Sequence, residues 1–335
     1  MSFKSKITDE VFIELWNKLG SPTLVAEVLK MNPRSIMARR KALEIYHSIE
    51  LPTFNSQRTE KKPQVRKIHQ THGHVRRGIE IPDKGRVIVF SDAHFLPGEV
   101  STAYKVLLLM IKEFKGQLKA VVANGDMMDG AGQISSHPRM GWEDAPTAKE
   151  EIEYCQEMMS GIEKVTPNQV PLIWTAGNHD ARLTNYISRN APALEGLPMT
   201  QLKDFFPLWK SCYSFWVNED TCIKHRWKGG FGATRSNSLN SGVNFITGHT
   251  HNLSAFPITD FSPAFNLGTR WGVQTGCLAD PHSAAFLYAE DSPKDWRSGL
   301  VLLSWENGRM LMPELIMVTD EENGEFEFRG CINKV

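Results

Sequence analysis

The stretch "LKAVVANGDMMDG", residues 118–130, decides the fold. It opens with a short apolar run and passes without transition into Asn124, Gly125, Asp126 and Asp129. A brief apolar run bounded by turn formers reads as a buried strand. Two further stretches repeat the pattern: "GRVIVFSDAH" (85–94) ends in Asp92 and His94, and "VPLIWTAGNHD" (170–180) ends in Asn178, His179 and Asp180. Helix-like segments stand between them, "TAYKVLLLMIKEF" (102–114) and "TAKEEIEYCQEMMSGIEKV" (147–165). Buried strands alternating with helices predict parallel pairing in a layered α/β domain. Ligand sites of such sheets gather at the carboxyl ends of the strands, which is where the polar clusters fall.

A fourth cluster follows another apolar segment, His249 and His251 in "ITGHTHN" (246–252). One D-x-H or G-H-x-H alone recurs by chance, but four such clusters in order make a pattern. With D-x-H, G-D-x-x-D, G-N-H-D and G-H-x-H all present, the sequence resembles the calcineurin-like metallophosphoesterase superfamily over residues 86–255 by motif and to 318 by its strand pattern. The resemblance implies a two-sheet α/β sandwich over residues 85–335 and a centre of two divalent cations. Mn²⁺ comes first, with Fe, Zn²⁺ and Ni²⁺ as alternatives. Carboxylate oxygen and imidazole nitrogen suit such metals, and one shared carboxylate brings two ions within about 4 Å.

By resemblance Asp126 is that bridge. Asp92, His94 and His251 join it on one metal, and Asn178, His249 and a further histidine join it on the other. The alternation in "DAH" and "GHTH" fits this sharing, since residues i and i+2 of an extended segment project to one side. For the further histidine the candidate is His225 in "DTCIKHRWKGG", although Arg226 stands where the family commonly has Gly. His282 and His137 are reserves. His179 is expected to protonate the departing oxygen, with Asp129 orienting its imidazole, while a metal-bridging hydroxide attacks phosphorus. Gly177 is expected to permit a tight turn, and Asp180 to accept backbone N–H groups. Arg182 is a candidate phosphate contact. Protein serine/threonine phosphatases continue G-D-x-x-D with Arg-Gly and G-N-H with Glu. This chain has Gly130 and Asp180 there, closer to the diesterase and nuclease branches.

The remainder frames this core. The chain has 335 residues, 41% hydrophobic and 23% charged, as a globular protein does. No apolar run is long enough to span a bilayer, and "MSFKSKITDE" lacks the apolar core of a signal peptide, so a cytoplasmic location with no membrane partner is expected. The five cysteines show no C-x-x-C pair and read as reduced and mostly buried. Net charge is zero overall, but residues 1–90 carry 17 Lys+Arg against 9 Asp+Glu, leaving 21 against 29 for the rest.

Residues 1–50 read as helices. "TDEVFIELWNKLG" places Val11, Leu15 and Leu19 at helical spacing between the cap Thr8 and Gly20. Two short helices follow, one opened by Ser21 and Pro22, one starting at Pro33, with Ala26, Leu29 and Ile36 as packing positions. This small all-α N-terminal module resembles a helix-turn-helix, with Arg34, Ser35, Arg39 and Arg40 as nucleic-acid contacts. Residues 51–84 read as a basic linker, with seven Lys+Arg between 58 and 77 and with His69, His72 and His74. Toward the C-terminus, strands from "FNLGTRWGVQTGCLAD" (265–280) to "SGLVLLSWENGRMLMPELIMV" (298–318) are expected to complete the second sheet. Trp271, Trp296 and Trp305 are expected in the core, with base stacking as the alternative.

Together these features predict a two-metal phosphodiesterase, a nuclease with DNA as partner. One alternative is a phosphomonoesterase or nucleotide hydrolase on a small substrate. A second is a DNA-binding regulator with a vestigial metal site.

Overall fold

The computed structural model describes residues 7–51, 75–130, 134, 146–230, 232–283, 286 and 295–335. The chain divides into two compact units, Met1–Gln70 and Thr71–Val335. The expected linker falls largely outside the described residues, as do His69, His72, His74 and His137.

Among its described residues the first unit has three helices: α1 (Asp9–Leu19), α2 (Pro22–Leu29) and α3 (Pro33–His47). Their ends follow local chemistry. The Thr8 hydroxyl accepts from Val11 N–H, Gly20 closes α1 at φ 54°, and Asn32 accepts from Arg34 N–H to start α3. Helical spacing picks out Val11, Leu15 and Leu19 as the packing face of α1, but the structure turns that face by one residue. Phe12 and Trp16 are fully buried and stacked, Leu15 and Leu19 flank them, and Val11 is 51% exposed. Larger aromatic rings at i and i+4 remove more apolar surface from water than Val11 does, and so set the rotation. They close a core with Val25, Ala26, Ile36, Leu43 and Leu51.

The second unit begins with β1 (Arg76–Ile79), β2 (Lys84–Phe90), α4 (Thr102–Phe114), β3 (Leu118–Ala123), α5 (Ala148–Val165), β4 (Leu172–Thr175) and α6 (Arg182–Asn190). It continues with β5 (Lys210–Cys212), β6 (Ser214–Val217), β7 (Thr221–Ile223), α7 (Ala233–Ser241), β8 (Asn244–Thr247), β9 (Leu253–Ser262) and β10 (Phe265–Thr275). The last strands are β11 (Gly299–Glu306), β12 (Arg309–Met310), β13 (Glu314–Asp320), β14 (Glu325–Phe328) and β15 (Cys331–Lys334).

Two sheets form the expected sandwich. One has the order β15-β14-β13-β11-β2-β3-β4-β5 with β12 beside β11, and the other β1-β6-β7-β8-β10-β9. Strands β2 to β5 pair in parallel, as their helical crossovers require. Period two divides the core: Val87 and Val89 face the inter-sheet layer with Ile246, Val273 and Trp305, whereas Ile88 and Phe90 face the layer of α4 and α5.

Two boundaries differ from expectation. Strand β1 lies within residues 51–84, assigned to the linker, and pairs in parallel with β6. At the other end, β10 belongs to the second sheet, but β11 pairs antiparallel with β2 and brings β13 to β15 into the first. Every residue of β11 from Gly299 to Trp305 is buried, so it takes a central place with layers on both faces. The expected "ENG" turn joins β11 to β12, with Asn307 and Gly308 both at positive φ. All five cysteines are free, and four are buried. Among the described residues no helix is long and apolar enough to cross a membrane.

The rotation of α1 yields a direct test. Phe12→Ala is expected to cost about 3–5 kcal/mol in the first unit, and Val11→Ala less than about 0.5 kcal/mol. Hydrogen exchange of the α1 to α3 amides in the full chain reads both.

Candidate metal centre

The clusters follow strand ends of both sheets: Asp92 and His94 after β2, Asp126 and Asp129 after β3, Asn178 and His179 after β4, His225 after β7, and His249 and His251 after β8. Three groups of ligand atoms, each within 4.8 Å of one another, come together there. They are Asp92, His94 and His251; His94, Asp126 and His179; and Asp126, His225 and His249. Asp126 is shared by two groups. His225, despite the Arg226 beside it, is 1% exposed with Nε2 3.0 Å from Asp126 Oδ2. His282 belongs to none of the groups, so this reserve is not brought to the centre.

Alternation along extended backbone does not produce the arrangement. Asp92, His94, Asp126, His249 and His251 all have φ between 41° and 70°, in the left-handed region. Side chains rarely adopt that conformation and it costs about 1–3 kcal/mol per residue, so the surrounding structure imposes it. Nor is Gly177 needed for a positive φ. A Cβ there would collide with Asp126 Oδ1 and N, so its hydrogen is what lets the two loops touch. At Gly125, φ is 82° and a Cβ would overlap the His225 ring.

Each loop is fixed by hydrogen bonds. Asp180 accepts from Asp126 N–H and Met127 N–H at 3.0 Å, from Gly177 N–H at 2.9 Å and from Trp174 Nε1–H at 2.9 Å. It therefore secures the turn. Burial and then Asp126 push its carboxyl up to about 6, against the pull of the Trp174 and Gly177 donors. Asp92 Oδ2 accepts from His249 N–H at 2.9 Å and from the Ser91 hydroxyl, which also meets Thr275 Oγ1 at 2.6 Å. Asp126 Oδ1 accepts from His179 N–H at 2.8 Å.

Asp129 has a wider task than orienting His179. Its Oδ1 lies 2.9 Å from His94 Nδ1 and 3.3 Å from His179 Nδ1, while its carbonyl lies 2.8 Å from His179 Nδ1. Arg182 Nη1 donates to the Asp129 carbonyl at 2.7 Å, and Nη2 lies 3.2 Å from His179 Nε2. Sequence reasoning misses Ser91, the Asn124 carbonyl 2.7 Å from His225 Nδ1, and the Phe286 ring against His251, where Trp296, expected in the core, also packs. Ser91 adjoins a motif, but a backbone carbonyl leaves no trace in residue type. Trp305 and Trp271 pack against the inter-sheet core.

Among the described residues several of these donor atoms make no hydrogen bond, although His225 Nε2 lies 3.0 Å from Asp126 Oδ2 and His251 Nε2 lies 3.3 Å from Asp92 Oδ1. Asp92 Oδ1, His94 Nε2, Asn178 Oδ1, His225 Nε2 and His251 Nδ1 are buried without a hydrogen bond. Buried polar atoms are normally satisfied, and an orphaned set of oxygen and nitrogen donors matches the needs of borderline divalent cations. Charge points the same way. Burial raises the Asp92, Asp126 and Asp129 carboxyls, yet the facing imidazoles hold all three below the usual carboxylate range. Burial opposes a charged His225, but Asp126 and Asp92 lift it to about 10. Burial, followed by the His225 charge, lowers His249. For His179 burial is outweighed by Asp129 and Asp126, so its pKa rises. The donor set thus fits divalent cations.

The chain belongs to the calcineurin-like phosphoesterase family, whose profile matches residues 85–253. It is 25% identical over 269 residues to the Gene 54 protein of Mycobacterium phage L5, covering 75% of this chain and 99% of that protein. Among solved structures it resembles a conserved uncharacterised protein of Streptococcus pneumoniae TIGR4, described as a predicted phosphoesterase, with 13% identity and a TM-score of 0.30 over 75% of this chain and 96% of that one. An archaeal phosphodiesterase matches at 14% identity and a TM-score of 0.31, over 69% of this chain and 99% of the other. A cold-active protein-tyrosine phosphatase of a Shewanella species matches at 12% identity and a TM-score of 0.34, over 76% and 83%.

The contact between Gly177 and Asp126 predicts that Gly177→Ala weakens Mn²⁺ binding by about 10–100-fold. Gly116, with open space around its Cα, serves as the control: Gly116→Ala leaves binding unchanged. Isothermal titration of the full chain with MnCl₂ measures both.

Proposed function

We propose that this chain is a two-cation phosphodiesterase whose substrate is the DNA backbone. The observation that carries the hydrolytic reading is the orphaned donor set about Asp92 and Asp126. Asp92, His94, His251 and Asp126 would hold one cation, and Asn178, His225, His249 and Asp126 the other. Mn²⁺ is the first choice, ahead of Fe, Zn²⁺ or Ni²⁺. Such cations supply an activated water and offset charge on the phosphoryl oxygens.

The chain's own residues do the rest. His179 is anchored through Nδ1 by Asp129, and its Nε2, now 3.2 Å from Arg182 Nη2, would turn to a bound phosphoryl group and pass a proton to the departing oxygen. Arg182 Nη2, beside that same Nε2, would meet the same oxygen. Asp129 acts through His94 and His179 and is a positioning residue.

DNA as substrate is supported by the positive balance of residues 1–90 and by exposed Arg34 and Ser35 in the first turn of α3, where a helix-turn-helix-like module would read DNA. Arg39 and Arg40 support it less. Arg39 donates to Ile7 O and Asp9 Oδ1 and covers the Phe12 ring, while Arg40 pairs with Glu44 and covers Trp16. That internal use favours the second reading, a small phosphoester substrate. The completeness of the donor set weighs against a regulator with a vestigial site.

In Mn²⁺ buffer the wild type is expected to hydrolyse bis(p-nitrophenyl) phosphate and to cut linear and circular DNA. His179→Ala should lower kcat by about 10²–10⁴ with Mn²⁺ still bound, and Asp126→Asn should abolish tight Mn²⁺ binding. Equal DNA cleavage by all three proteins would refute the assignment, and hydrolysis of phosphomonoesters alone would refute the DNA reading.

A further inference from the structure

Beside the metal centre, the second unit carries a strip in which cations and aromatic rings alternate. Arg76, Arg77, Lys210 and Phe215 line a groove of about 360 Å³ at the edge where β1 and β5 meet the solvent. The Arg76 guanidinium lies 4.1 Å over the Trp216 ring, and Arg77 Nε donates to Ser211 O at 3.0 Å. Next along the surface, Lys224 Nζ lies 4.2 Å over the ring of Tyr213, whose N–H bonds Val75 O. Arg226 follows the candidate ligand His225, and its charge reaches His249. Beyond it Lys228 faces Trp227, and Trp227 packs on Phe245.

The topology sets these residues around one end of the second sheet, with Phe215 turned to the inter-sheet core and its neighbours Ser214 and Trp216 to the opposite face. β6 runs antiparallel to β7, with Phe215 opposite Ile223, and β1 runs parallel to β6, with Arg76 opposite Ser214. The starts of β1 and β6 therefore lie beside the end of β7, where His225 enters the centre.

Two properties select its occupant. Arg76, Arg77, Lys210, Lys224, Arg226 and Lys228 make no ion pair with a carboxylate among the described residues, although residues 91–335 carry 29 Asp+Glu against 21 Lys+Arg. The cations that do pair, such as Arg270 with Asp260 and Arg329 with Glu314, lie elsewhere. The rings are also presented to solvent, Tyr213 at 37% and Trp227 at 41% exposure. Repeated cations suit the charge of a phosphodiester chain, and partly exposed rings suit unpaired bases, which a duplex keeps stacked inside.

We propose that this strip binds single-stranded nucleic acid and leads the strand past Arg226 into the metal centre. The proposal rests on the phosphodiesterase reading above and names the form in which its substrate arrives. It also gives a task to Arg226, the residue that stands where the family commonly has glycine.

The test is fluorescence anisotropy with a labelled oligothymidylate of about 20 residues and a duplex of equal length. The proteins are the full chain carrying His179→Ala, which suppresses cleavage, and the same chain with Arg76→Ala and Lys224→Ala added. The added pair should raise Kd for the single strand about tenfold or more and make the salt slope shallower by about 1.4, which is 0.7 per lost phosphate contact. The parent should bind the single strand at least about tenfold more tightly than the duplex, because only unpaired bases can stack on the strip. Melting curves and Mn²⁺ content serve as folding controls. Unchanged Kd and slope in the added pair, duplex binding as tight as single-strand binding, or no binding by the parent would each overturn the proposal. Should the wild type fail to cut DNA while the strip binds as described, the nuclease reading alone falls.

Discussion

Asp92 and Asp126 each present one carboxylate oxygen to a backbone N–H, that of His249 and that of His179, and direct the other into a space ringed by imidazoles. Taking a carboxylate out of water costs several kcal/mol unless charge or hydrogen bonds compensate, and here the protein supplies only part of the compensation. His225 supplies some, at the expense of holding a proton it would give up to a metal. Two cations would satisfy the remaining oxygens and nitrogens together. Much of the local architecture follows from that requirement. Five donor residues sit at positive φ, a glycine hydrogen separates the Gly177 loop from Asp126, and Asp180 gathers four N–H groups to hold the turn.

Such a cluster needs two sheets. β2, β3 and β4 deliver Asp92, His94, Asp126, Asp129, Asn178 and His179 from one, while β7 and β8 deliver His225, His249 and His251 from the other. The inter-sheet layer of Val87, Val89, Phe215, Ile246 and Val273 sets the distance between them. Close packing makes that separation stiff, which suits donors whose placement must be kept within fractions of an ångström.

The fold was legible where pattern and chemistry coincide. Apolar runs ending in polar residues marked β2, β3, β4 and β8, and Thr8, Pro22 and Pro33 marked the starts of α1, α2 and α3, although the Ser21 side chain makes no capping hydrogen bond. The site was legible because D-x-H, G-D-x-x-D, G-N-H-D and G-H-x-H carry their donors in side chains. Even His225, with Arg226 where glycine is common, arrives beside Asp126. What was not legible depends on three-dimensional partners. The α1 face turned on Phe12 and Trp16 outcompeting Val11, which spacing alone does not weigh. The place of β11 in the first sheet depends on long-range pairing with β2, and the short β1, exposed and rich in arginine, resembles the linker it follows. The reach of Asp129 to His94 depends on how two loops fold over each other.

The central claim is that these side chains hold two divalent cations that share Asp126. Crystals grown with MnCl₂, with diffraction recorded on both sides of the manganese absorption edge, address it directly. The account predicts two anomalous peaks per chain, one against Asp92, His94 and His251 and one against Asn178, His225 and His249, both in contact with Asp126. A folded protein that shows one peak, none, or peaks away from Asp126 would contradict it.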